Sequence, residues 1–423
     1  MIDSIEHPFN TVNNPDYVGK AKSMSQSTID KIKQMVTTHQ PGFSLEQQFY
    51  KDDDIYKKEI DKLFLKHWLY AGHSSQIPKV GDYFTFEFDT ESVIVLRTGD
   101  GDIKAHMNVC RHRGSKICLA SSGNQKSLTC PYHAWNYDLE GNLIAARNMP
   151  DDFEYANNGL HQVKVELLGG LIFVCLGNNP PSFDALRKNL QPPLEPFDLD
   201  NMKLAEQKPY TIAANWKLAV ENYQECYHCA PSHQEFAKVH AMAKSPKVFK
   251  EAKDSYQKAN LGNPKFTAFD CYFDLAEQGQ EGYQYDRNPL LRHAVSGSKD
   301  GSPVAPLLGT IEAYDGGASE LMVGPLSYFL IYDDYMVAYR FLPKSIDECV
   351  CDVSWFVKNT AVEGQDFQLD NLTWLWDVTT QADKTIIMNN QKGVDSRFYQ
   401  SGRLSDMESF QQSFLNWYLQ ALI

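Results

Sequence analysis

Apolar residues recur at two different periods along the chain, and the change of period divides it. Between residues 27 and 73 the period is helical. Residues 27–39 carry mixed charge, and Ser44 with Glu46 and Gln47 opens an amphipathic stretch in which Ile55, Ile60, Leu63 and Trp68 recur at near-helical spacing. Such helices would form a lid or a packing arm. From residue 80 to 177 the pattern is that of strands: TFEF, VIVLRT and IFVCL, punctuated by the turn sequences GDGD, SSGN and LEGN, predict a small antiparallel β domain. Residues 178–200 hold five prolines in 23 positions, and because proline interrupts helix and ladder alike this stretch reads as a linker and domain boundary. Beyond it, residues 216–229 are helix-compatible, residues 278–302 are polar and glycine-rich, and YFLIY and YMVAYRF flank Asp333 and Asp334 as a hairpin. Long helical periodicity then runs through residues 374–390 and 407–422. Strands and helices are segregated, so the fold class is α+β.

The 423 residues include 43% hydrophobic side chains, which excludes disorder as the main state. With 40 Lys+Arg against 54 Asp+Glu, the net charge of −14 argues against nucleic acid and against an anionic membrane surface as partner. The longest apolar run, residues 167–177, is far short of the roughly 20 residues that span a bilayer. The opening MIDSIEHPFN lacks both a basic and an apolar export segment, and the expected location is the cytoplasm. Nine cysteines, an odd count scattered along the chain, suggest reduced thiols of which a few serve as ligands; Cys118 reads as a small buried hydrophobe.

Two constellations carry chemistry. In the first, Cys110-Arg111-His112 and Cys130-Pro131-Tyr132-His133 are separated by 17 residues. A zinc finger places its cysteines on one knuckle and its histidines on a helix. Here Cys and His alternate, so each loop can give one ligand to each of two irons, which suits a 2Fe-2S centre with one Cys₂ iron and one His₂ iron; a zinc-binding loop pair is the rival. In the second, Asn215-Trp216-Lys217 leads to Glu221-Asn222-Tyr223-Gln224-Glu225-Cys226-Tyr227-His228-Cys229-Ala230-Pro231-Ser232-His233. His228 and His233 are five apart and would diverge by about 140° on an unbroken helix, but a break at Pro231 lets them face one metal. A carboxylate would complete a two-histidine, one-carboxylate site for ferrous iron.

The segments CRHRG and CPYHAWNYDLEGNL, with Trp135, Tyr137, Gly141 and Leu143 in the second, resemble the Rieske centre of ring-hydroxylating and N-demethylating oxygenases. The resemblance implies a Rieske antiparallel β domain beside a helix-grip catalytic domain, with a helical arm over residues 1–60, the Rieske domain over 61–180 and the catalytic domain over 181–423. It implies a 2Fe-2S Rieske cluster on Cys110, His112, Cys130 and His133, and a mononuclear Fe(II) on His228, His233 and an aspartate of a C-terminal helix. Asp383, which precedes Gln391-Lys392-Gly393-Val394, is the better match and Asp377 its competitor. The family's bridge between a Rieske histidine of one subunit and the iron site of its neighbour falls here on Glu225 and His133. Asn222 joins Glu225 in the catalytic set as a supporting residue, not a ligand.

Glutamate at the bridge, with NWKLAVENYQECYHCAPSHQEF and the C-terminal tail, is most similar to the branch acting on quaternary ammonium compounds, glycine betaine above all; Met388 departs from it. The implied reaction is O2-dependent hydroxylation of an N-methyl group with release of formaldehyde. Ring dihydroxylation with a separate small subunit, a choline- or carnitine-type monooxygenase, and a non-catalytic electron carrier are the alternatives. A cationic head calls for aromatic faces, and Phe266, Phe269, Tyr272, Phe273, Tyr328, Tyr332, Tyr335 and Tyr339 are the candidates. A head-to-tail homotrimer is implied, as is a separate NAD(P)H-dependent flavin and ferredoxin-type reductase, since the chain has no GxGxxG fingerprint.

Overall fold

A computed structural model describes residues 24–268 and 279–423. The helices α1 (Gln26–Thr38), α2 (Gln47–Lys51) and α3 (Asp53–Glu59) lead in, with α3 running on into a π-helical turn over Ile60–Phe64. Asp52 caps α3 by accepting from the backbone N–H groups of Asp54 and Ile55. The first β unit contains β1 (Leu69–His73), β2 (Asp82–Phe88), β3 (Glu91–Arg97), β4 (Ile103–Met107), β5 (Ser122–Asn124), β6 (Leu128–Thr129), β7 (Asn136–Tyr137), β8 (Leu143–Ala145), β9 (Gln162–Leu168) and β10 (Leu171–Cys175). Seven of them form an antiparallel sheet in the order β1-β10-β9-β4-β3-β2-β5, and β6-β7-β8 form a second.

The helical reading of residues 27–73 fails at its end. Leu69–His73 is buried at every position and pairs with β10, because five consecutive buried residues leave no polar face for a surface helix. Alternation sets the faces of the larger sheet. Phe84, Phe86 and Phe88 of β2 enter the main core, while Tyr83 enters a smaller one with Ile94, Cys110, Cys130, Trp135 and Tyr137.

The proline-rich stretch is not a linker. Residues Asp184–Leu194 form α4, with Pro192 and Pro193 in its last turn. Leu186, Leu190 and Leu194 recur every fourth residue as a buried stripe, and that packing outweighs the backbone bonds the prolines forgo. Then come β11 (Met202–Ile212), α5 (Trp216–Tyr223), α6 (Cys229–Ser232), α7 (Gln234–Ala237), α8 (Pro246–Ala259), β12 (Tyr283–Pro289), β13 (Gly317–Val323), β14 (Ser327–Ile331), β15 (Met336–Ser345), β16 (Glu348–Lys358), α9 (Leu369–Val394) and α10 (Ser409–Ala421). The six strands form one antiparallel sheet, β11-β16-β15-β14-β13-β12, and α9 lies against the face that carries Tyr210, Tyr328, Tyr339 and Cys351. This is the helix-grip arrangement of the α+β expectation.

The expected hairpin forms with Ile331 opposite Met336, but its Asp-Asp tip is fully buried. Asp333 takes ion pairs from Arg287 at 2.7 Å and Lys265 at 2.9 Å, and Asp334 accepts from Ser296 Oγ at 2.7 Å. The glycine-rich middle contains β12, which lines the sheet edge. Among the described residues no helix is long and apolar enough to cross a membrane. Where reduced thiols are expected, Cys226 and Cys229 are joined as a disulfide; Cys110, Cys118, Cys130, Cys175, Cys349 and Cys351 are free and buried.

Candidate metal centres

The two Cys-His loops adopt the same turn. Gly114 N–H donates to Cys110 O at 2.9 Å and Ala134 N–H to Cys130 O at 3.0 Å, and both fourth residues sit in the left-handed region, φ 77° and 58°. Glycine takes that conformation freely in the first loop, and Ala134 bears it in the second. The turns bring the ligand atoms together: His112 Nδ1 lies 3.1 Å from His133 Nδ1, and the Cys110 and Cys130 thiols face each other beneath them. His112 stacks on Trp135 at 4.9 Å between centroids. Burial pushes the Cys110 thiol up, and the neighbouring Cys130 adds to it. Two thiols and two imidazoles with no cation among them form a donor set that fits a Cys₂His₂ iron–sulfur cluster.

Tyr137, which the motif carries without a role of its own, reaches the first loop. Arg111 N–H donates to its hydroxyl oxygen at 3.1 Å, which leaves the hydroxyl hydrogen free to donate to Cys110 Sγ at 3.3 Å. Hydrogen bonds to ligand sulfur are a lever on cluster potential. Asn108 ties down the first loop by accepting from the N–H groups of Ile117 and Cys118, both at 2.9 Å.

At the second constellation the helix ends earlier than expected. Helix α5 stops at Tyr223, His228 is the N-terminal cap of α6, and Pro231 lies inside that single turn, where a missing N–H costs little. The break falls at His233 itself, whose φ of −126° and ψ of 73° separate α6 from α7. His233 Nε2 is 2.8 Å and His228 Nε2 3.3 Å from Asp383 Oδ1, and one donor atom from each of the three residues lies within 4.8 Å of the others. Asp377 is elsewhere: Tyr210 donates to it, and Lys208 pairs with it at 3.7 Å. The two-histidine, one-carboxylate set fits ferrous iron and leaves coordination positions free.

Glu225 Oε1 accepts from His228 Nδ1–H at 2.5 Å, which turns Nε2 toward Asp383. Asn222 Nδ2 lies 3.5 Å from His228 Nε2. Burial disfavours the imidazolium of His228, but the hydrogen bonds it donates to Asp383 and Glu225, with their charges, outweigh it and hold the group up at about 9. Burial likewise raises Asp383, and the two histidines more than reverse it.

Beside the triad, aromatic rings cluster. Tyr223 lies 4.6 Å from Tyr328 and 5.0 Å from Tyr339 between centroids, Tyr339 lies 6.0 Å from Trp376, and Tyr332 stacks on Tyr335 at 4.8 Å. Tyr223 and Tyr339 are near enough to Asp383 for its charge to raise their phenols beyond the large effect of burial. Phe266 instead packs on Tyr256, while Phe269, Tyr272 and Phe273 lie outside the described residues.

Residues 67–163 match the family described as the Rieske 2Fe-2S domain, and residues 199–422 match the ring hydroxylating alpha subunit (catalytic domain). The chain is 34% identical over 395 residues to the glycine betaine monooxygenase oxygenase subunit of Pseudomonas aeruginosa, covering 92% of this chain and 91% of that one. It is 28% identical over 375 residues to the carnitine monooxygenase oxygenase subunit of Escherichia coli, covering 86% and 88%. Its fold is similar to that of a quaternary ammonium Rieske monooxygenase whose structure is described for carnitine oxidation and inter-subunit electron transfer, with a TM-score of 0.70, 22% identity and coverage of 92% and 98%.

Proposed function

We propose, for a chain that belongs to the Rieske non-haem iron oxygenases, that it is the oxygenase component of a monooxygenase removing an N-methyl group from a quaternary ammonium compound such as glycine betaine. The observation that carries this reading is the tyrosine cluster beside the His228–His233–Asp383 triad, since ring faces attract a cation that has no N–H to donate. In the proposed reaction one oxygen atom of O2 enters an N-methyl C–H bond, and two electrons and two protons reduce the other to water. The resulting hemiaminal breaks its C–N bond to give formaldehyde and the demethylated amine.

The four loop ligands would hold the Rieske cluster and the triad a mononuclear Fe(II); when bound, these groups supply single-electron relay and O2 activation. The chain's own residues do the rest. Glu225 fixes the ring of His228 and holds a proton at its Nδ1. The buried rings of Tyr223, Tyr328 and Tyr339 would keep bulk water from the triad. Tyr132 and Leu119 at the tip of the loops are 55% and 74% exposed, and Tyr227 beside Glu225 is 57% exposed. Apolar surface left bare at both places supports a head-to-tail homotrimer in which Glu225 meets a neighbouring copy's His133. Electrons would come from a separate NAD(P)H-dependent reductase, in the cytoplasm.

The test is a single turnover. Protein loaded with iron anaerobically and reduced with dithionite is mixed with O2 and a panel of betaines and aromatic acids. Glycine betaine or a close analogue is expected to give formaldehyde in step with oxygen uptake. Oxidation of an aromatic acid, with no response to any ammonium compound, would overturn the substrate assignment.

A further inference from the structure

Strand β13 places one carboxylate on the inner face of the catalytic sheet. Residues opposite one another in an antiparallel ladder share a face, and Glu320 stands between Asp286 on β12 and Leu330 on β14. On its own strand the same parity takes in Ala318 and Met322, and Met322 stands opposite Tyr328, itself opposite Tyr339. Glu320 thus shares the sheet face that carries Tyr328 and Tyr339, and it is half-buried there.

Among the described residues Glu320 has no ion pair. The amide of Asn288 is its hydrogen-bond partner, and Lys253, whose charge acts on it, is already paired with Asp286. Residues 269–278, outside the described set, contain no Lys or Arg. The charge of Glu320 acts on Tyr223 and Tyr332, and Tyr223 also feels Asp383, so tyrosine rings lie between this carboxylate and the triad. A half-buried carboxylate with no ion pair among the described residues is costly to keep charged, and a site that keeps one has a use for its charge.

We propose that Glu320 is the anionic contact that selects a cationic substrate head over a neutral one of the same shape. The inference rests on the ammonium reading and deepens it. A quaternary ammonium has no N–H, so its attraction to Glu320 is purely electrostatic, and the faces of Tyr223, Tyr328 and Tyr339 complete the enclosure. A betaine held this way keeps its own carboxylate turned away from Glu320, with its methyl groups beside the triad.

Burial holds Glu320 up at about 7, with Asp286 adding to the effect and Lys253 and Asn288 opposing it. A cation held beside Glu320 would favour its ionised form. The other titratable neighbours, Tyr223 and Tyr332, are phenols that burial pushes far above neutrality and do not titrate there.

The experiment is anaerobic calorimetric titration of the iron-loaded protein with glycine betaine and with 3,3-dimethylbutanoate, in which carbon replaces the nitrogen. Wild type is expected to prefer the betaine. Glu320→Gln should lose at least about tenfold in betaine affinity and should not lose affinity for the carbon analogue, whose head is uncharged. Unchanged betaine affinity in Glu320→Gln, with wild-type preference intact, would overturn the role of Glu320. Equal binding of the two ligands by wild type would overturn the ammonium reading itself. Should that variant not fold, Glu320→Met is read in the same titration, with the same loss of betaine affinity expected and unchanged betaine affinity overturning the proposal.

Discussion

Glu225 is three residues before His228, and its carboxylate does two things to that residue. It accepts the Nδ1 proton at 2.5 Å, and through Oε2 it accepts the backbone N–H of His228 at 3.3 Å, so both ring and backbone are fixed. Partners of this kind orient a ligand and set its basicity. Glu225→Gln keeps the shape and removes the charge. Iron content should stay at the wild-type level while formaldehyde formed per oxygen consumed falls by about 10–100-fold; product yield and metal analysis on the same sample check it, and full coupling in the variant would contradict the role. That the two Cys-His loops, and His228 with His233, would come together was legible in the sequence, because a metal site would need particular donors at short spacing. Tyr137 and Glu320 were not. The first acts through a sulfur brought near by folding, and the second becomes visible only once strand parity places it with Ala318 and Met322.

Helix α5 positions the second constellation, and a buried ion pair anchors it. Lys217 Nζ lies 2.7 Å from Glu59 Oε1 with both side chains fully enclosed, and Trp216 Nε1–H donates to Glu59 Oε2 at 2.8 Å. Tyr418 of α10 donates to the same carboxylate, so α3, α5 and α10 meet at Glu59. Burial lowers Lys217, and Glu59 opposes the shift. Lys217→Met leaves Glu59 buried and uncompensated and should cost about 3–5 kcal/mol in urea unfolding, whereas adding Glu59→Gln should restore most of it. A double variant as unstable as the single one would contradict this account. At this scale periodicity succeeded where one face dominates: α9, α10 and the β14–β15 hairpin follow their apolar repeats. It failed where a local rule competed with packing. The prolines masked the leucine stripe of α4, the buried run of β1 looked like a continuation of the preceding helices, and the polar residues around β12 hid an edge strand.

Across the whole molecule, one face of the larger β sheet shares its core with the catalytic sheet and its helices, while the other packs on the Cys-His loops. The loops therefore project from a rigid platform with their imidazoles at the surface, and the triad lies inside, between α9 and the sheet. The overall architecture was legible because each metal constellation marks its own unit; the disulfide between Cys226 and Cys229 was not, since cysteine count and spacing do not determine pairing. The central claim is that one chain holds two kinds of iron, one relaying electrons and one activating O2. Anomalous diffraction at the iron edge from anaerobically loaded crystals tests it most directly. The account predicts a close pair of iron peaks among Cys110, His112, Cys130 and His133, and a separate single peak at His228, His233 and Asp383. Zinc at the loops, or iron at the second site held by other side chains, would contradict it.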